Sequence, residues 1–117
     1  MLDHITVEEQ ELVTIIRMKG QFIGGDETDA LREEFKKFAA TDKQFVAADL
    51  ANVTYLNSTA LGVLISAHSN ISKRGGKMAL CGINKSIENI FVITKLTLVF
   101  EMYSSVDEAI KHFSSNS

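Results

Sequence analysis

Residues 49–62 read DLANVTYLNSTALG, the most informative stretch of the chain. It overlaps an apolar run over residues 45–50, which is typical of a short strand buried on both faces. The strand is predicted to end near the acidic Asp49, and a loop follows it. Three polar residues, Asn57, Ser58 and Thr59, then open a helix. The stripe of that helix predicted to face the core is formed by Leu61, Leu64, Ile65, His68 and Ile71.

The segments before this stretch predict a hairpin and a helix. Residues 5–7 alternate apolar and polar side chains, and residues 12–18 form a stronger apolar strand, so we expect an opening β-hairpin. Gly20 and Gly24-Gly25 mark a loop. A helix is predicted over residues 26–40, because acidic residues at its start and lysines towards its end suit the helix dipole.

The segments after the stretch continue the alternation of strands and helices. Residues 77–81 predict a strand, and Asn84 can cap a third helix. Residues 98–102 predict a last strand, and residues 106–113 predict a terminal amphipathic helix. The order β-β-α-β-α-β-α-β-α predicts an α/β fold with a mixed β-sheet, in which parallel strands follow the opening hairpin, and about four α-helices.

Length and composition limit the class of protein. A chain of 117 residues with 45% apolar residues is expected to form one domain over residues 1–117. Its net charge of −3 is spread along the chain and argues against a nucleic-acid partner. The basic pair Lys73-Arg74, with Lys77 nearby, is predicted to be a solvated helix end. These features predict no particular chemistry by themselves.

The same composition predicts a cytoplasmic protein. Residues 1–4 lack the basic start and long apolar core of a signal peptide. No stretch is apolar for long enough to be inserted in a membrane. The single cysteine, Cys81, rules out an internal disulfide and fits a reducing compartment.

The three polar residues at 57–59 allow two interpretations. A helix uses only one N-cap residue, and capping together with turn formation accounts for all three side chains. Alternatively, a hydroxyl here is a phosphate acceptor, because a helix N-terminus presents free N–H groups and a positive dipole end to an added phosphate. Local chemistry leaves both interpretations open.

The same stretch resembles the signature of STAS domains, the family of anti-sigma factor antagonists and sulphate-transporter tails. The family pattern is an apolar strand ending in Asp-Leu, a spacer with Val, and then Leu/Met-Asp/Asn-Ser-Ser/Thr-Gly/Ala-Leu-Gly. This chain matches it with Asp49-Leu50, Val53 and residues 56–62. Gly75-Gly76 and residues 100–110 resemble the family's helix-to-strand turn and its last strand and helix. The resemblance covers nearly the whole chain and implies a STAS-like fold.

The resemblance also implies a function that depends on Ser58. In anti-sigma factor antagonists, the serine at this position is phosphorylated by a partner that is both an anti-sigma factor and an ATP-dependent serine kinase with an ATPase-type fold. The unmodified antagonist binds this partner, and a sigma factor is thereby released. The phosphorylated form dissociates from the partner until a PP2C-like phosphatase removes the phosphate. We therefore expect a partner-binding protein rather than an enzyme, with no catalytic residue, no cofactor and no metal site.

Carried over residue by residue, the resemblance assigns a partner-binding surface and a supporting acid. Asp49 is expected at the base of the site, where it positions the hydroxyl or destabilises a nearby phosphate. The partner-binding residues are expected to be Asn57, Ser58, Thr59, Leu61, Gly62 and Asp26.

Three departures from the family pattern affect the site. Many relatives have Asp where this chain has Asn57, and Ala60 replaces the more common Gly. The loop over residues 20–26 resembles the family's Gly-x-Leu-Asp turn, with residues inserted before the acid. Whether Asp26 or another group takes the place of that acid stays open.

Other functions fit the sequence less well. The three histidines show no metal-ligand spacing, and Ser58 lacks the Gly-x-Ser-x-Gly elbow of a hydrolase. A response-regulator receiver needs an acidic pair after its first strand, where this chain has Met18-Lys19-Gly20. Within the STAS family, a scaffold or transport-accessory subunit that binds partners without phosphate cycling remains the alternative.

Overall fold

The computed structural model describes residues 4–115 of the chain. Residues 1–3, which belong to the segment without signal-peptide features, and residues 116–117 lie outside the described residues. The strands are β1 (Ile5–Glu9), β2 (Val13–Phe22), β3 (Phe45–Leu56), β4 (Lys77–Cys81) and β5 (Glu101–Tyr103). The helices are α1 (Asp26–Ala39), α2 (Ser58–Lys73), α3 (Lys85–Ile93) and α4 (Val106–Ser115), with a short 3-10 turn at Leu96–Leu98. The predicted order of strands and helices is confirmed.

The five strands form one mixed sheet in the order β1-β2-β3-β4-β5. β1 is antiparallel to β2, and the other neighbouring strands are parallel. This arrangement confirms the predicted α/β class with its opening hairpin. β3 pairs with β4 only as far as Asp49, whereas its pairing with β2 continues to Leu56. The ends of β2 and β3 therefore extend beyond the rest of the sheet as a two-stranded ribbon.

The core has two layers because successive side chains of a strand point to opposite faces. In β3, Val46, Ala48 and Leu50 pack with α1, α2 and α3 on one face of the sheet. Ala47 points to the other face, where α4 covers the sheet with Ala109 and Phe113. Among the described helices, three thus share one face, and α4 alone covers the other.

Two strand boundaries differ from the prediction. β3 does not end near Asp49, because Val53 and Leu56 continue to point into the core and residues 52–56 keep pairing with β2. Gly20 consequently lies within β2, next to a register shift, and not in a loop. The added length of both strands is what carries the start of α2 beyond the sheet.

The last strand is also shorter than predicted. Leu98 is 83% exposed and belongs to the 3-10 turn. Only Glu101–Tyr103 pair with β4, opposite Ala79 to Cys81, where β4 ends. The predicted strand began too early, because its first residues are apolar but have no partner strand beside them.

The buried face of α2 is rotated relative to the predicted stripe. Leu61, Leu64 and Ile71 are buried as expected, but Ile65 is 40% exposed. His68 is half-buried, with its ring edge-on to Phe100 at a centroid distance of 5.1 Å, which confirms its packing role. The remaining buried positions of α2 are Ala60, Val63 and Ala67.

Arg74, directly after α2, connects the carboxyl ends of α1 and α2. Its guanidinium donates to the carbonyl oxygens of Ala39, at 2.8 Å, and of Lys43, and lies 4.8 Å from the ring centroid of Phe38. Lys73 is exposed, as expected of a solvated helix end, but Arg74 is half-buried. The prediction was wrong for Arg74 because the carbonyl groups at the end of a helix need donors, which Arg74 supplies.

Candidate functional site

Asn57 and Ser58 have different positions at the start of α2. The side-chain Oδ1 of Asn57 accepts a hydrogen bond from the Ala60 N–H at 3.0 Å, so Asn57 is the N-cap. Ser58 is the first residue of the helix and is exposed. Within residues 4–115, its hydroxyl makes no hydrogen bond. Because Asn57 caps the helix, the Ser58 hydroxyl is available for other chemistry.

The end of the β2–β3 ribbon fixes the position of this helix start. The Asn57 N–H donates to the Phe22 carbonyl oxygen at 3.0 Å, and the side chains of Phe22 and Leu56 are fully buried. The ribbon therefore holds the backbone directly before Ser58 in a defined orientation, while the Ser58 side chain points to solvent. An exposed hydroxyl on an anchored backbone is suited to modification by a second protein.

The loop between β2 and α1, residues 23–25, lies against the first turn of α2. A Cβ atom built on Gly24 would lie 3.5 Å from the Cβ of Thr59. Asp26 begins α1 directly after this loop and is exposed, and its side chain makes no ion pair or hydrogen bond to other described residues. The structure thus brings together the loop and the helix start, which are far apart in the sequence.

Glu27 is the acid that organises this loop. Its Oε2 accepts hydrogen bonds from the Ile23 N–H at 2.8 Å, the Gly25 N–H at 3.0 Å and the Thr28 hydroxyl at 2.7 Å. The Thr28 hydroxyl above all, with the two N–H groups, lowers the pKa of Glu27 to about 2. The sequence left open which acid serves the turn. A carboxylate directly before Thr28 at a helix start was the signal that could have identified Glu27.

Asp49 lies elsewhere, so the expectation that it forms the base of the Ser58 site is not met. Its side chain follows Ala47 on the α4 face of β3 and forms an ion pair with Arg17 at 3.1 Å. Leu56, the last residue of β3, lies seven positions further along, roughly 23 Å along a strand. Because β3 continues past Asp49, this carboxylate and the start of α2 lie at opposite ends of the ribbon.

The other predicted partner-binding residues divide into surface and core. Thr59 is exposed and Gly62 is half-buried, and both line a groove between α1 and α2 of about 520 Å³. Leu61 is only 7% exposed and belongs to the core. The surface around Ser58 is therefore formed by the β2–α1 loop and the groove side of α2, without a contribution from the Leu61 side chain.

The electrostatics of the helix start favour an anion. The first turn of α2 contains no acidic residue, and the N–H groups of a helix N-terminus carry a positive partial charge. An added phosphate on Ser58 would face these groups without a neighbouring carboxylate in the helix. The site thus offers an exposed hydroxyl in a position that stabilises the charge of its phosphorylated form.

The described part of the chain holds neither a metal site nor a membrane-spanning helix. No group of three or more His, Cys, Asp and Glu side chains in residues 4–115 is arranged to hold a metal ion. None of the helices there has the length and apolar character needed to cross a bilayer.

Comparison with known proteins identifies one family. The model of the STAS domain matches residues 4–109 of the chain. Among curated proteins, the anti-sigma F factor antagonist of Paenibacillus polymyxa is 22% identical over 102 residues, which are 86% of each chain.

Solved structures show the same fold. An anti-sigma factor antagonist from Mycobacterium paratuberculosis aligns with a TM-score of 0.81 and 21% identity over 92% of this chain and 91% of its own. The antagonist SpoIIAA in its unphosphorylated form aligns with a TM-score of 0.78 and 14% identity over 95% of this chain and 96% of its own. The phosphorylated form of SpoIIAA from Bacillus aligns with a TM-score of 0.75 and 14% identity over 93% and 98%.

Proposed function

This chain belongs to the STAS domain family, and from that premise we propose that it is an anti-sigma factor antagonist in a partner-switching pathway. In its unmodified form it binds an anti-sigma factor that is also a serine kinase with an ATPase-type fold, and a sigma factor is thereby released. Phosphorylation of Ser58 ends this binding, and a PP2C-like phosphatase restores it. The protein acts in the cytoplasm.

The observation that carries the proposal is the exposed Ser58 hydroxyl beside a helix N-terminus that is capped by Asn57. A phosphate adds about −1.5 to −2 charges at neutral pH. At the start of α2 that charge is stabilised by the helix N–H groups, so phosphorylation leaves the fold intact. The same charge placed in an interface costs binding, because the partner must desolvate it or face it with its own groups.

The comparisons support this assignment in two ways. The curated relative named above is an anti-sigma F factor antagonist, and its match extends over most of both chains. SpoIIAA has been solved in unphosphorylated and phosphorylated forms, and both align with this chain over more than nine-tenths of its length. A STAS fold of this shape is therefore compatible with a phosphate group.

We further propose that the protein is a substrate of its partner and not itself an enzyme. A nucleophilic serine needs a base within hydrogen-bond reach, and the histidine rings of the described residues pack against aromatic side chains instead. His4 lies next to Phe22, His68 next to Phe100, and His112 next to Tyr103. Ser58 thus lacks an activating partner among residues 4–115 and needs a kinase to supply one.

Binding measurements with Ser58 variants test the proposal. The anti-sigma kinases of the source organism would be titrated with the unmodified protein, with Ser58→Asp and with Ser58→Ala, after circular dichroism has verified each fold. We expect Ser58→Ala to bind like the unmodified protein and Ser58→Asp to bind at least about tenfold more weakly. Equal binding by Ser58→Asp would remove the charge-exclusion mechanism and favour a scaffold that binds partners without phosphate cycling.

A further inference from the structure

The groove between α1 and α2 is a surface that the Ser58 switch alone does not explain. It has a volume of about 520 Å³ and begins at Thr59, directly after Ser58. Val63, Ala67 and Ile71 of α2 and Phe35 of α1, each 8% exposed or less, form its apolar floor, and it reaches Asn70. Thr59 and Asn70 are eleven residues apart on one helix, which corresponds to roughly 16 Å or three helical turns. The groove is long enough for one face of a short helix.

Gly62 in the middle of the groove indicates that another molecule approaches α2 closely. Glycine inside a helix lowers stability relative to alanine, so its presence needs a reason. Here the fold supplies none: a Cβ built on Gly62 would meet nothing within 4 Å. The residue is half-buried on the groove side of the helix, where a missing side chain leaves room for a partner's backbone.

The charges that line the groove are of one sign. Arg32 and Lys36 of α1 line it, and no carboxylate does, although the chain as a whole has a net charge of −3. Both cations form ion pairs within α1, with Asp29 and Glu33; the Arg32 side chain is 43% exposed and the Lys36 side chain 67%. Exposed pairs of this kind contribute little, so either cation can turn to an incoming carboxylate. The groove is therefore complementary to an acidic ligand.

We infer that this groove receives an acidic amphipathic helix of the protein partner, with its apolar side chains on Val63 and Ala67 and its carboxylates near Arg32 and Lys36. The inference rests on the proposed function, since it names the chemistry of the partner segment next to the switch. Apolar residues at helical spacing in a groove are a common mode of peptide recognition. An acidic segment also explains how the switch works, because a phosphate on Ser58 at the end of the groove repels it.

A synthetic probe tests the groove without any partner protein. The probe is a 14-residue amphipathic helical peptide with Leu on one face and Glu on the other, and the control peptide has Lys in place of every Glu. Titrated into isotope-labelled protein, the Glu peptide is expected to shift the amide signals of residues 59–71 and 32–39, and the Lys peptide is not. Shifts confined to other surfaces, equal shifts with both peptides, or no shifts at all would overturn the inference.

Matched variants test the same surface against the kinase partner. Gly62→Leu fills the groove, and Lys36→Glu inverts its charge; both are expected to weaken binding at least about tenfold. Their controls, Ser69→Leu and Lys37→Glu, introduce the same side chains at exposed positions that do not line the groove, and they should bind normally. If Ser58→Asp loses binding while Gly62→Leu and Lys36→Glu keep it, the groove inference fails and the proposed function stands.

Sedimentation of the free protein tests whether a second copy of the chain occupies the groove. A dimer that dissociates on dilution and is abolished by Gly62→Leu but not by Ser69→Leu would assign the groove to a second copy of the chain, and would overturn the inference. A monomer in both variants, together with the peptide shifts, is the result we expect.

Discussion

At the start of α2, two adjacent side chains have separate tasks. Asn57 satisfies the Ala60 N–H and so holds the first turn, which leaves the exposed Ser58 hydroxyl without a structural role. This division matters for a modified residue, because a serine that also capped its helix would lose that hydrogen bond on phosphorylation. The structure therefore shows which of residues 57–59 caps the helix, and the phosphorylation of Ser58 stays a prediction.

Replacement of Asn57 tests this division of tasks. Asn57→Ala removes the acceptor for the Ala60 N–H, so we expect the free energy of unfolding to fall by about 1 kcal/mol. Asn57→Asp keeps an acceptor and should be close to neutral, and Ser58→Ala should change stability by less than about 0.5 kcal/mol. Urea denaturation of the three variants measures these differences. A loss at Ser58→Ala equal to that at Asn57→Ala would mean that both side chains cap the helix.

Glu27 gives the β2–α1 loop a pH dependence. Its pKa is lowered to about 2 in the folded protein, mainly by the Thr28 hydroxyl, whereas an unfolded glutamate titrates near 4.3. The stabilisation by Glu27 is thus complete above about pH 5 and is lost as the pH falls towards about 2. We expect Glu27→Gln to have a lower Tm at pH 7 and a Tm near that of the unmodified protein at pH 2.5. The control Glu33→Gln, on an exposed pair, should show a much smaller difference at pH 7.

Two glycines, Gly62 within α2 and Gly76 in the turn after it, differ in the space available for a side chain. A Cβ on Gly62 would meet nothing within 4 Å, whereas a Cβ on Gly76 would overlap the carbonyl oxygen of Gln44 and lie 2.9 Å from Ile71 Cγ2. Gly62→Ala should therefore raise the free energy of unfolding by about 0.5–1 kcal/mol. Gly76→Ala should lower it by about 1–3 kcal/mol, since the backbone of residue 44 must shift. Urea denaturation measures both changes in the free energy of unfolding. A destabilised Gly62→Ala would show that the fold itself requires this glycine.

The sequence predicted the order of the elements but not all their limits. The apolar runs of β3 and β4 identified these strands, because a strand buried on both faces is apolar throughout. The helical spacing in α2 and the charges at the two ends of α1 identified these helices. The end of β3 was missed because Thr54 and Tyr55 are exposed, and only pairing with β2 keeps them in a strand. The early start assigned to β5 had the same cause, since apolar residues such as Leu98 do not reveal whether a partner strand is in reach.

In the whole molecule, the candidate site is built from segments that are far apart in the sequence and meet only in the folded structure. Ser58 was recognisable from the family pattern alone. The proximity of Gly24 to Thr59 and the cationic wall of Arg32 and Lys36 were not, because they depend on how α1 packs against α2. The assignments of Leu61 and Asp49 failed for a related reason: a pattern specifies which residues recur, and the fold decides whether a side chain faces the core, the other side of the sheet, or solvent.

The central claim is that Ser58 is the phosphate acceptor of a partner-switching antagonist. The most direct test is to incubate the purified protein and its Ser58→Ala variant with ATP and each histidine-kinase-like ATPase of the source organism. The products are then read by intact mass and peptide mapping. We expect one added phosphate, located on Ser58 and absent from Ser58→Ala. A phosphate on another residue, or tight binding to one of these kinases with no phosphate transferred, would contradict it.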